Sequence, residues 1–115
     1  MRPHRLFILI TLAWVCANAA QADVTSIADW PCQEWQARRQ AGTRLDPPQM
    51  WLSGFMTGLA TARDVDVLAF TNGPALFKAM DAFCIAHPEQ DLSAGGLEIF
   101  QQILHRLPTT PPRAL

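Results

Sequence analysis

The sequence is short of most features that mark the common functional classes. Only 17% of its 115 residues are charged, and nine lysines and arginines nearly balance ten aspartates and glutamates. A net charge of −1 leaves no basic patch of the kind that holds nucleic acid. Tyrosine is absent and histidine occurs three times. No Gly/Ser-rich or acidic tract is present, which excludes wholesale disorder. The length suits one compact domain. It is too short for two, or for a large cofactor fold of the Rossmann or barrel type.

What is present begins with a leader. Arg2, His4 and Arg5 give a basic start, Leu6 to Val15 is an apolar run, and Ala20-Gln21-Ala22 fits a small-x-small cleavage site. This pattern predicts a secretory signal peptide over residues 1–22, cut before Asp23, with Ala17-Asn18-Ala19 as a second site. Read as a membrane anchor, the uncharged span from Leu6 to Ala22 contains Asn18 and Gln21 and falls short of the roughly 20 apolar residues a spanning helix needs. Read as a lipoprotein, Cys16 is preceded by Val15 where a small residue is required. The expected location is periplasmic or secreted, with no membrane span after cleavage.

Cleavage leaves 93 residues with a net charge of about −3, and it removes Cys16 while keeping Cys32 and Cys84. An odd cysteine count becomes even in a chain bound for an oxidising compartment. A Cys32–Cys84 disulfide is expected, stabilising by about 4 kcal/mol in the chain-entropy model. That is a large share of a typical total of about 5–15 kcal/mol. The alternatives are two free thiols or half a metal site. Only His87, three residues after Cys84, stands at a zinc-ligand spacing, so neither metal nor cofactor is expected.

Four helical segments follow, and the predicted class is all-α: a small four-helix domain over residues 23–107 with one disulfide. Asp29-Trp30-Pro31 opens the first helix, with Asp29 as cap, and Gly42 stops it. Cys32, Trp35 and Arg39 share its narrow apolar face, and Arg39 can lay its stem along apolar surface. Asp46-Pro47-Pro48 starts the second helix, which carries no charge from Pro47 to Ala62. Trp51, Phe55, Leu59 and Ala62 fall on one arc, with Leu52 and Met56 extending it. A helix apolar on most sides is a central one. Gly54 and Gly58 are expected to admit close packing by another helix of the same domain, since each glycine costs nearly 1 kcal/mol against alanine.

Residues 63–72 are open between a short extended piece and a helical turn. Asp64 and Asp66 read as solvated loop carboxylates rather than a calcium pair. Asn72-Gly73-Pro74 caps the third helix. Leu76, Phe77, Met80, Phe83, Cys84 and His87 form its stripe, with Lys78, Asp81, Ala82 and Ile85 facing away, and Pro88 ends it. The fourth helix runs from about Leu92 to Leu107, starting at Asp91 or Ser93 and burying Leu92, Ile99, Phe100, Ile103, Leu104 and Leu107. Residues 108–115 (PTTPPRAL) read as a frayed, Pro-rich tail. In this arrangement Trp51 and Phe55 face Leu76, Met80 and Phe83 of the third helix and Ile99 and Ile103 of the fourth.

No catalytic set is legible. His87 reads as a helix-end residue meeting the last carbonyls, and His105 as a solvated residue on a wet face. Gly95-Gly96 lies in a helix start with no lysine after it, which is not a phosphate loop.

Trp30-Pro31-Cys32-Gln33-Glu34-Trp35, the Gly54-Phe55 pair and the placement of Cys84 resemble the HdeA family of small periplasmic acid-stress chaperones. Trp51 to Gly58 and Phe83-Cys84-Ile85-Ala86-His87-Pro88 are also similar to the Tai-type immunity proteins of type VI secretion. The resemblance covers about residues 30–107, and its motifs are mostly structural. The sequence departs from the first family in having a single lysine after the leader, Lys78, and from the second in lacking further cysteines. The resemblance implies a non-enzymatic protein-binding module. In the first case it is a homodimer that acid loosens so that apolar surface meets a client protein. In the second it is an inhibitor that binds and neutralises a secreted hydrolase. Ile85, opposite the core stripe, is the expected interaction face. A hydrolase whose activity depends on His87 or His105 is the third reading.

Overall fold

Prolines and polar flanking residues set where the helices start. The computed structural model describes residues 25–42 and 46–108. It contains α1 (Cys32–Ala41), α2 (Pro47–Arg63), a 3-10 turn (Val67–Phe70), α3 (Gly73–Ala86) and α4 (Leu92–Arg106), with no strand among the described residues. The all-α expectation is met. The predicted leader over residues 1–22 lies outside the described residues. So does the predicted tail, apart from Pro108, which is exposed and not helical.

Prolines occupy the first turns of α2 and α3, where a missing N–H costs nothing. Asn72 caps α3 by accepting the Ala75 N–H at 2.9 Å. Gly42 ends α1 at φ 69°, a left-handed conformation that suits a residue without a Cβ. The undecided stretch 63–72 is a helical turn. Asp64 stops α2 at φ 52°, and Asp66 caps the 3-10 turn through the Ala69 N–H. That turn drives Val67 fully into the core.

The first predicted cap is corrected. Asp29 does not cap α1, which begins at Cys32 behind Pro31. Its Oδ1 accepts the Trp30 N–H at 2.8 Å and the Ser93 N–H at 3.2 Å. The carboxylate therefore sits at the N-terminus of α4, where the helix dipole favours an anion. Asp91, the flanking residue of α4, makes no side-chain cap. A bridge between Pro31 and Asp91 and the bonds Cys32 N–H to Gln90 O and Leu92 N–H to Trp30 O, both 2.9 Å, fasten this junction.

α4 packs against both α2 and α3, and α1 lies on α3. Gly95 and Gly96 make this possible. A Cβ on Gly95 would lie 2.6 Å from Met80 Sδ and from Phe83 Cδ1, and one on Gly96 2.7 Å from Phe55 Cε1. The expectation for Gly54 and Gly58 is overturned among the described residues: both are exposed, and a Cβ on either would meet none of these within 4 Å. α2 carries no charge before Arg63 and only a mild polar strip at Ser53, Thr57, Ala60 and Thr61, so its periodicity is a weak sign of which side turns to water.

Trp35, Leu76, Met80, Phe83 and Ile99 are buried as expected, with Phe100, Leu92 and both cysteines. On α2 the arc is displaced. Leu52 and Met56 fill the core, Trp51, Phe55 and Leu59 are half-buried at its rim, and Ala62 is exposed. Ile103 is likewise half-buried against the core. The buried Cys32–Cys84 disulfide, Cα–Cα 5.1 Å, pins the start of α1 to the end of α3. Asp81, expected to face away, is half-buried and turned toward α1.

Candidate protein-binding surface

One side of α2 is left uncovered by the described residues, and nothing on it is charged. Met50 is 62% exposed, and Gly54, Thr57, Gly58 and Thr61 are exposed beyond it. Trp51 and Phe55 edge this face as a stacked pair, ring centroids 5.0 Å apart. The hydroxyls do not offer themselves to a partner. Ser53, Thr57 and Thr61 each donate to the carbonyl four residues back, on Gln49, Ser53 and Thr57, at 2.8 Å. The surface thus presents methyl groups, Cα–H groups and aromatic edges over a backbone that a partner can approach closely.

Segment 25–28 lies beside this face. Ser26 and Ile27 form, with Met50, Trp51, Gly54 and Phe55, a cleft of about 390 Å³. The Trp51 indole N–H donates to the Ile27 carbonyl at 3.3 Å. The Ile27 side chain is 87% exposed.

Most side-chain ties between separate elements end on three aspartates. Asp29 holds the start of α4, as described. Asp46, almost wholly buried, accepts Arg38 Nη1 at 3.0 Å and joins α2 to α1. Arg38 also bonds Glu34 at 2.8 Å and lies over the Trp30 ring. Asp81 accepts Trp35 Nε1 at 2.8 Å and a bidentate pair from Arg39, joining α3 to α1. The hydrogen bond to Asp46, and then that to Glu34, holds the Arg38 pKa above its ordinary range, and Asp81 does the same for Arg39.

Elsewhere the predicted residues stay apart. The His87 ring lies against Phe83, centroids 4.8 Å apart, and the His87 backbone N–H caps the end of α3 on the Phe83 carbonyl. His105 is exposed in the last turn of α4. Neither imidazole pairs with a carboxylate or a hydroxyl among the described residues. No three His, Cys, Asp or Glu side chains converge at metal-binding distance among them. An open groove of about 480 Å³ runs between α3 and α4 over Ala75, Ala79 and Ala82, rimmed by Lys78, Glu98 and Arg106. Ile85 is 73% exposed on α3 but lines neither this groove nor the α2 cleft.

Neither Met50 nor Ile27 stands out in the sequence. The absence of charge along α2 is the available signal, and it suits a buried helix equally well. The chain matches no protein-family model, no curated protein and no solved structure.

Proposed function

We propose that this is an exported, non-enzymatic protein-binding module of the acid-stress chaperone type, and that the uncharged face of α2 is its contact surface. One observation carries the reading. Two exposed glycines in mid-helix each cost about 1 kcal/mol relative to alanine, and no contact among the described residues explains either. Close approach by another protein's backbone gives them a reason. The buried disulfide supports an oxidising compartment, and no helix among the described residues is long and apolar enough to cross a membrane.

The three aspartate ties support the acid element of the proposal. These ties join α1, α2, α3 and α4, and the disulfide would keep the chain compact if acid loosened them. An apolar dye should bind at about pH 2–3, below the ordinary carboxylate range, and the protein should then suppress aggregation of an acid-denatured client. Unchanged dye fluorescence together with no suppression would refute the acid reading. Tight stoichiometric binding of one secreted hydrolase at neutral pH would instead favour an inhibitor using the same face.

A further inference from the structure

Segment 25–28 has an anchored base, a strained hinge and a weakly held tip. At the base, Asp29 accepts the Ser93 N–H, the Trp30 carbonyl accepts the Leu92 N–H at 2.9 Å, and Cys32 is in the disulfide. At the hinge, Ala28 has φ 59°, a left-handed conformation in which its Cβ crowds the backbone carbonyl. At the tip, the only hydrogen bond made by residues 25–28 among the described ones is the Ile27 carbonyl accepting the Trp51 indole, long at 3.3 Å. Ile27 meanwhile holds its side chain in solvent beside an apolar cleft.

We propose that residues 25–28 form an autoinhibitory strap, hinged at Ala28, that occupies the Trp51–Phe55 edge of α2 and competes with a protein partner for it. The inference rests on α2 being the contact surface. The left-handed hinge biases an alanine against the closed position by about five-fold or more. The Trp51 bond holds it closed. Two forces of similar size leave the strap poised, and a partner that covers Trp51 and Gly54 displaces it without disturbing the anchored base.

Opposed substitutions at one exposed residue test this on the full chain. Glycine takes positive φ freely, so Ala28→Gly should close the strap further by about five-fold. Proline is fixed near φ −65°, so Ala28→Pro should open it. Hydrogen exchange of the Trp51 indole N–H, followed by NMR, should slow several-fold in the first variant and quicken about ten-fold or more in the second. Anilinonaphthalene sulfonate fluorescence at neutral pH should fall and rise in the same order. Equal indole exchange in all three proteins overturns the strap. Ordered exchange with constant dye binding overturns the competition. Adding Met50→Glu to Ala28→Pro judges the contact surface separately. Loss of the dye signal supports α2, and persistence overturns α2 while the indole result alone decides the strap.

Discussion

The Trp35 indole N–H donates to Asp81 Oδ1 at 2.8 Å across 46 positions of sequence, and the same carboxylate takes Arg39 through Nε and Nη2. Trp35 is the largest fully buried side chain, so this single acceptor decides whether a core donor is satisfied. Asp81→Ala strands the indole N–H and should destabilise by about 2 kcal/mol. Asp81→Asn keeps the Oδ1 acceptor for Trp35 but loses the charge and the acceptor for Arg39 Nη2, on a partly exposed arginine, which should cost about 1 kcal/mol. Urea denaturation followed by tryptophan fluorescence measures both. Equal losses would mean that the charge on Arg39, and not the indole, dominates.

The glycines divide into two kinds that respond in opposite directions. Gly95→Ala places a methyl 2.6 Å from Met80 Sδ and Phe83 Cδ1, and Gly96→Ala places one 2.7 Å from Phe55. Met80 is fully buried and Phe83 nearly so, so neither yields freely, and each change should cost about 1–3 kcal/mol. Gly54→Ala and Gly58→Ala meet open space, and each should stabilise the isolated chain by about 0.5–1 kcal/mol. Denaturation midpoints of the four variants decide it. Loss of stability in Gly54→Ala would show that α2 is already covered in solution.

This contrast marks how far the sequence could be read. Proline pairs, Asn72, Gly42 and Pro88 act on their own few neighbours, so the helix boundaries were legible from local chemistry. The stripe of α3, with charged residues opposite it, pointed correctly to Leu76, Met80 and Phe83. α2 gave no such contrast, so its period could not distinguish Gly54, in solvent, from Leu52, in the core. Gly95 and Gly96 were judged only as a failed phosphate loop, although two adjacent glycines at a helix start admit close packing equally well. Asp29 does not cap α1, Asp46 starts α2 as expected but without a side-chain cap, and Asp81 does not face away, all for another reason. Each prefers a partner that chain order does not reveal: Ser93, Arg38, and Trp35 with Arg39.

Reducing the disulfide tests how much of the domain depends on it. Cys32 and Cys84 are separated by 52 positions, and releasing a loop of that length should cost about 4 kcal/mol through the unfolded state. In a domain this small that is a large share of its stability. The Cys32→Ser/Cys84→Ser chain should therefore be largely unfolded at 37 °C. Retention of far-UV circular dichroism and a cooperative melt in the double variant would show that the helices hold without the bond.

The pH dependence should be one-sided, and the ion pairs give its sign. Arg38 and Arg39 have pKa values raised on folding by Asp46 and Asp81. A cation raised in this way contributes stability that is fully present below its unfolded pKa and is lost only as pH climbs through the folded value. The arginines are therefore silent from acid to mild alkali. The urea midpoint should stay level from neutral pH into mild alkali, and whatever these two pairs contribute should be lost only in strong alkali. Arg39→Gln, which removes the cation facing Asp81, should lower the midpoint by the same amount at every pH between neutral and mild alkali. A parent midpoint that drops over that range, or an Arg39→Gln loss that grows with pH there, would show that another group sets the pH dependence.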